Sequence, residues 1–157
     1  MGFLTKTKGS IISDYFKLVK AHANLEANLM YDVALYDEHL TIKVGFGKQE
    51  ATLNYSQITD VFYGLHTDIV KVSKSSIGRA VAGGLLFGSG GAVVGAVSGT
   101  GTKDKKERHT YFIISYTAST GEEKFIQFED TRLYRGAKVA AKLKELCNIK
   151  TLDQVQL

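Results

Sequence analysis

Residues 80–101 read AVAGGLLFGSGGAVVGAVSGTG. The stretch holds eight of the chain's sixteen glycines, Gly83, Gly84, Gly88, Gly90, Gly91, Gly95, Gly99 and Gly101, and no charged residue. Its reading decides the fold. As one membrane-crossing helix it would put the two halves of the chain on opposite sides of a bilayer; as a folded-back insertion it leaves one domain around it. Gly84 and Gly88 stand four residues apart, as do Gly91, Gly95 and Gly99. On a helix that spacing makes a face without side chains, which a second backbone can approach closely. Gly88-Ser89-Gly90-Gly91 lies between the two sets as a natural break. The expectation is two short helices in a hairpin, glycine faces touching, with Leu85, Leu86, Phe87, Val93, Val94 and Val97 outward. Each arm of about eight residues is roughly 12 Å long, against a hydrocarbon core of about 30 Å. Each glycine also costs a helix about 1 kcal/mol relative to alanine. The insertion is therefore preferred to the span. Its candidate contact residues are Gly83, Gly84, Leu85, Leu86, Phe87, Gly88, Gly91, Val93, Val94, Gly95 and Gly99.

Charge gathers on both sides of this stretch. Lys71, Lys74, Arg79, Lys103, Lys105, Lys106 and Arg108 face only Asp104 and Glu107 between Lys71 and His109, a local excess of +5. The rest of the chain carries 13 basic and 14 acidic groups, so the net charge of +4 comes from these flanks. A lone cysteine, Cys147, excludes an internal disulfide and fits a reducing, cytoplasmic setting. The opening residues lack the apolar run and small-residue site of a signal peptide. Gly2 does not make a myristoylation signal, because Lys6 stands where Ser or Thr is needed.

Further out, apolar periodicity sets the elements. Ile12, Phe16, Val19 and Ala23 recur at helical spacing, which predicts a helix from Ile11 to about Ala27, capped by Ser10 or Ser13. From Tyr31 the period is two. Strands are expected at Tyr31–Tyr36, His39–Val44, Glu50–Tyr55, Ser56–Tyr63 and Asp68–Val72, and beyond the glycines at Tyr111–Tyr116 and Glu123–Phe128. Asp37-Glu38, Gly45-Phe46-Gly47-Lys48 and Ser119-Thr120-Gly121 are turns. Asp130 or Thr131 caps a closing helix that runs to about Cys147, with Val139, Ala140, Leu143, Leu146 and Cys147 inward. The fold class is α+β: an antiparallel half-open barrel of about seven strands plugged by the C-terminal helix, with an N-terminal helix and a glycine-rich insertion.

The order of elements and the closing helix resemble a bacterial pleckstrin-homology-like (PH-like), or GRAM-like, domain, over roughly Tyr31 to Cys147. Ser76-Ile77-Gly78-Arg79-Ala80-Val81-Ala82-Gly83-Gly84-Leu85-Leu86-Phe87-Gly88, followed by Gly91-Ala92-Val93-Val94-Gly95-Ala96, is similar to the glycine-zipper insertion of small bacterial and phage proteins. There it interrupts a PH-like sheet between two hairpins. The resemblance implies an organisation of N-terminal helical segment 1–29, PH-like domain 30–148 with its insertion at 77–102, and tail 149–157. It supplies a fold and no settled activity.

Catalytic and cofactor patterns are not met. A phosphate loop needs Gly-Lys-Ser/Thr, and Gly99-Thr100-Gly101-Thr102-Lys103 does not supply it. The dinucleotide pattern fails where Val93 replaces the third glycine. His22, His39, His66 and His109 have no metal-ligand spacing. Cys147 falls on the helix stripe as an inert thiol. Glu122-Glu123 and Glu129-Asp130 sit at turns and caps, as solvated or capping groups. No enzyme and no cofactor are expected. The run Lys103–Arg108 lacks aromatics for base stacking, which disfavours nucleic acid. The expected function is a binding module whose glycine hairpin meets a second copy or a protein partner, with an anionic membrane surface, contacted peripherally, as a further possibility. The alternative is a phage- or prophage-type inhibitor of a host protein such as a defence protein.

Overall fold

Alternation of apolar and polar residues builds the sheet. In the computed structural model, which describes residues 8–44, 49–65, 77, 80, 109–132 and 136–148, seven strands form. They are β1 (Ile12–Leu18), β2 (Met30–Leu35), β3 (His39–Val44), β4 (Glu50–Asn54), β5 (Ile58–Leu65), β6 (Thr110–Thr117) and β7 (Glu123–Glu129). A C-terminal helix, α1 (Ala137–Leu146), follows. All pairings are antiparallel, in the order β4-β3-β2-β1-β7-β6-β5.

The first strand corrects the expected N-terminal helix. Residues 12–18 are extended and lie at the middle of the sheet, six residue pairs to β2 on one side and two to β7 on the other. Ile12 and Phe16 are four apart, a spacing that serves a helix and a strand alike. Leu18 separates the two: it is fully buried with Phe16, as period two requires, while Tyr15, just before Phe16 and on the other face, is 39% exposed. The chain could not have continued as a helix to residue 27 either, since Ala23 has φ 52° and Asn28 φ 69°.

One core fills the space between the two halves of the sheet. Phe16, Tyr31, Val33, Leu40 and Ile42 of β1–β3 share it with Val61, Phe112, Ile114 and Phe128 of β5–β7. Phe16, Phe112 and Phe128 meet ring to ring, with centroids 4.8 to 5.9 Å apart. The inner stripe of α1 closes the core as the spacing predicts: Val139, Ala140 and Leu143 are buried, and Leu146 and Cys147 pack against it half-buried. The expected antiparallel sheet of about seven strands with a closing C-terminal helix is present.

Boundaries shift where side chains intervene. The fourth expected strand begins with a 3-10 turn, Tyr55–Gln57, before β5. The Tyr55 hydroxyl donates to the Tyr36 carbonyl at 2.5 Å, and its N–H to Glu38 O at 3.1 Å, which ties this turn to the β2–β3 hairpin. The helix starts later than a cap at Asp130 would give. Gly136 is the N-cap residue, and the buried Asp130 carboxylate accepts its N–H at 2.7 Å. The same Oδ2 accepts the Tyr63 hydroxyl at 2.5 Å, and Oδ1 accepts the Arg132 N–H at 3.0 Å. Asp130 thus serves the helix from the end of β7 rather than from its first turn. The expected strand at Asp68–Val72, the turn at Gly45–Lys48, the helical hairpin within 77–102 and the tail 149–157 lie outside the described residues.

Candidate functional site

The glycine-rich insertion departs from one hairpin. Leu65, the last residue of β5, pairs with Thr110, the first of β6, and the two strands continue in antiparallel register to Ile58 and Tyr116. Residues 66–109 therefore leave and re-enter the sheet at facing positions. Among the described residues of that segment, Ile77 and Ala80 stand apart from the main core.

A second apolar cluster lies at the root of the insertion. On β6, Phe112 and Ile114 face the core, so Ile113 faces the other way, yet it is fully buried. Ile77 and Ala80, both helical and both buried, cover it, with Phe62, Tyr111 and Phe125 around them. Spacing of three puts Ile77 and Ala80 on one side of a helix. The sequence held a signal for this contact: Tyr111-Phe112-Ile113-Ile114 is a continuous apolar run, as expected of a strand covered on both faces.

Polar groups gather where the chain returns. His109 Nδ1 lies 2.7 Å from Glu129 Oε2, and Lys17 Nζ lies 3.9 Å from Glu129 Oε1. Glu129 so joins the first residue after the insertion to the seam between β1 and β7. Toward the opposite end of β7, Thr59, Ser115 and Glu123 form a hydrogen-bonded chain on the outer face, at 2.9 and 3.0 Å.

The other residues weighed for chemistry take structural places. His22 Nε2 is 2.7 Å from the Tyr116 hydroxyl, and burial, then Lys124, hold its pKa below 6.5. His39 stacks on Tyr36. Burial pushes the Cys147 thiol up to about 11, which leaves it protonated and unreactive at neutral pH. Glu122 lies 3.9 Å from Lys124, and Glu123 accepts from Ser115. A surface cleft of about 520 Å³ is lined by Asp37, Glu38, Asn54, Tyr55, Ser56 and Leu146. Among the described residues no group of three or more His, Cys, Asp or Glu is placed to hold a metal. His66, the candidate contact residues from Gly83 to Gly99, and the basic flank Lys71, Lys74, Arg79, Lys103, Lys105, Lys106 and Arg108 lie outside the described residues.

Among the described residues no helix is long and apolar enough to cross a membrane. A search of curated proteins finds no match. The family described as glycine zipper containing PH domain matches residues 20–121, well over half of the chain. The match runs from the β1–β2 loop to the β6–β7 turn and includes the whole insertion, while β1, β7 and α1 complete the sheet and core outside it. PH-like domains are in general non-catalytic binding modules. With a seven-stranded antiparallel sheet, a closing C-terminal helix and a glycine-rich insertion between β5 and β6, the chain belongs to the family of glycine zipper-containing PH domains.

Proposed function

We propose that this PH domain is a non-enzymatic assembly module that associates with further copies of itself through the glycine-rich segment Gly83–Gly99. The observation that carries the reading is the pairing of Leu65 with Thr110, which sets the two ends of the insertion side by side at one end of the sheet. A segment rich in Leu, Val and Phe that is inserted between two paired strands offers its apolar groups to another surface. Glycines four apart supply the close approach that helix-to-helix packing needs without large side chains. Sedimentation equilibrium of the full chain tests this. Wild-type protein is expected above its monomer mass of 17.2 kDa, and the Gly91→Leu/Gly95→Leu variant at that mass. A wild-type chain that stays monomeric over the whole concentration range defeats the reading.

The charge count favours one site for that assembly. The excess of +5 between Lys71 and His109 suits an anionic lipid surface, where each Lys or Arg contributes on the order of 1 kcal/mol. Co-sedimentation with phosphatidylserine vesicles at low salt is expected. Replacing Lys103, Lys105, Lys106 and Arg108 with glutamine should weaken it, and binding that survives this change or high salt removes the electrostatic part.

A further inference from the structure

The sheet has two edge strands, β4 and β5, and they are finished differently. An edge strand presents backbone N–H and C=O groups on which a further strand can form. On β5 the register slips between Ile58 and Asp60. The Asp60 carboxylate accepts the Val61 N–H at 2.9 Å, and α1 packs against the strand. β4 has less protection. The Val44 N–H donates to the Gln49 carbonyl at 3.2 Å. Antiparallel residues alternate between hydrogen-bonded and non-hydrogen-bonded pairs, so in the register of β3 with β4, Ala51 and Leu53 also turn their backbone groups toward β3. Glu50, Thr52 and Asn54 turn theirs to the free edge. The Asn54 N–H agrees with this alternation, because it leaves the ladder and donates to Gln57 Oε1 at 3.2 Å. No hydrogen bond takes the edge-facing backbone groups of Glu50 and Thr52 among the described residues.

Carboxylates outnumber cations beside this edge. His39 pairs with Asn54, so Asp37 and Glu38 of the β2–β3 turn lie next to the end of β4. Both are exposed. Glu50, at the start of the strand, is exposed too, with Lys43 Nζ at 4.0 Å. The cleft of about 520 Å³ opens where the edge ends, and Asp37, Glu38, Asn54 and Leu146 are among the residues that line it.

We infer that the free edge of β4 is a docking surface for an extended, basic segment of another protein, which joins the sheet as a further antiparallel strand. Every pairing in the sheet is already antiparallel. The residues of that segment bonded to Glu50 and Thr52 have their side chains on the same face as these two. Lys or Arg there meets Glu50, and a further one at the end of the segment reaches Asp37 and Glu38. Apolar side chains at the alternate positions extend the row of Ala51 and Leu53. A second copy of β4, Glu50–Asn54, would bring another glutamate and no basic residue, so charge favours a different chain. The inference does not depend on the glycine segment or on its self-association.

A capped heptapeptide of alternating lysine and valine is the probe, read by fluorescence anisotropy with the full-length protein and by amide exchange. In the free protein the Thr52 amide should exchange rapidly and those of Ala51 and Leu53 slowly. The peptide should slow exchange at Thr52 roughly tenfold. N-methylation of the lysine amides keeps the charge and removes the donors that face β4, and it should weaken binding roughly tenfold; the same change at the valines should not. Thr52→Pro should weaken binding as much while the protein stays folded, since an edge strand tolerates proline where its N–H faces solvent. The peptide with glutamate in place of lysine should not bind. Absence of binding by the lysine peptide, or binding that survives both lysine N-methylation and Thr52→Pro, overturns the inference. So does slow Thr52 exchange in the free protein, which would give the edge to the chain itself or, where the protection grows with protein concentration, to a second copy.

Discussion

The strand β1 and the helix α1 start from similar sequence signals and end in different structures. Both carry apolar residues four apart: Ile12 and Phe16 in one, Val139 and Leu143 in the other. In α1, Ala140 and Leu146 stand at spacings of one and seven from Val139, continue the helical stripe and meet the core. In β1 the deciding residue is Leu18, two from Phe16, and both are fully buried between neighbouring strands. Length adds to the difference. Seven residues flanked by strands can satisfy their backbone groups in a sheet, whereas α1 has a free run of ten residues rich in Ala, Lys and Leu. A spacing of four is shared by both periods, and only a residue at spacing two or three separates them.

The two elements also meet. A Cβ on Gly136, at the head of α1, would stand 2.2 and 2.4 Å from ring carbons of Phe16 and 2.9 Å from Asp130 Oδ2. Breaking this meeting gives the largest expected effects. Phe16→Ala empties the centre of the three-ring cluster and should cost about 3–5 kcal/mol, read from the urea midpoint; a loss under about 1 kcal/mol would mean that Phe16 is not at the core's centre. Gly136→Ala should cost about 1–3 kcal/mol by overpacking. In the Phe16→Leu background that cost should shrink, and a double-mutant cycle that shows simple additivity would separate the two residues. Asp130→Asn turns an acceptor of three hydrogen bonds into a group that also donates, and should cost about 1–3 kcal/mol. Circular dichroism should place its loss in the helix before the sheet, and a simultaneous loss would contradict the role given to Asp130.

The smallest effects sharpen the contrast through pH. His22 follows β1, and its folded pKa lies below 6.5 because burial, then Lys124, disfavour its charge. Below 6.5 the unfolded chain takes up the proton more readily, so stability present above that pH is lost as pH falls. Cys147 ends α1 and shifts the other way, from 9.0 to about 11. Between those values the unfolded chain ionises first, and stability falls as pH rises. Tyr55, raised from 10.0 to about 12 by burial, carries the fall further. His22→Gln should flatten the acid limb of a stability–pH curve and Cys147→Ser the start of the alkaline limb. An alkaline limb unchanged by Cys147→Ser would show a thiol open to water.

Much of this was legible in the residues. The alternation in His39–Val44 gives that strand without error, and the stripe Val139–Leu143 gives the helix and its inner face. The family signal lay in the glycine spacing. β1 was not legible by period alone, because its partner β7 lies about a hundred residues away and only their pairing makes residues 12–18 a central strand. Asp130 was recognised as a cap, but its reach to Gly136 depends on how the chain turns after β7. The cover over Ile113 was missed although the run Tyr111–Ile114 announced a strand buried on both sides.

The facing ends of the insertion bear on how such a domain can change over time. Leu65 and Thr110 hold their register whatever the chain does between them. Doubling the length of a closed loop adds only about 0.6 kcal/mol of closure entropy. The sheet can therefore accept longer, shorter or exchanged segments at this hairpin with little thermodynamic consequence. The β5–β6 junction works as a port in the fold, where new binding surfaces can be installed while the core that carries them stays the same.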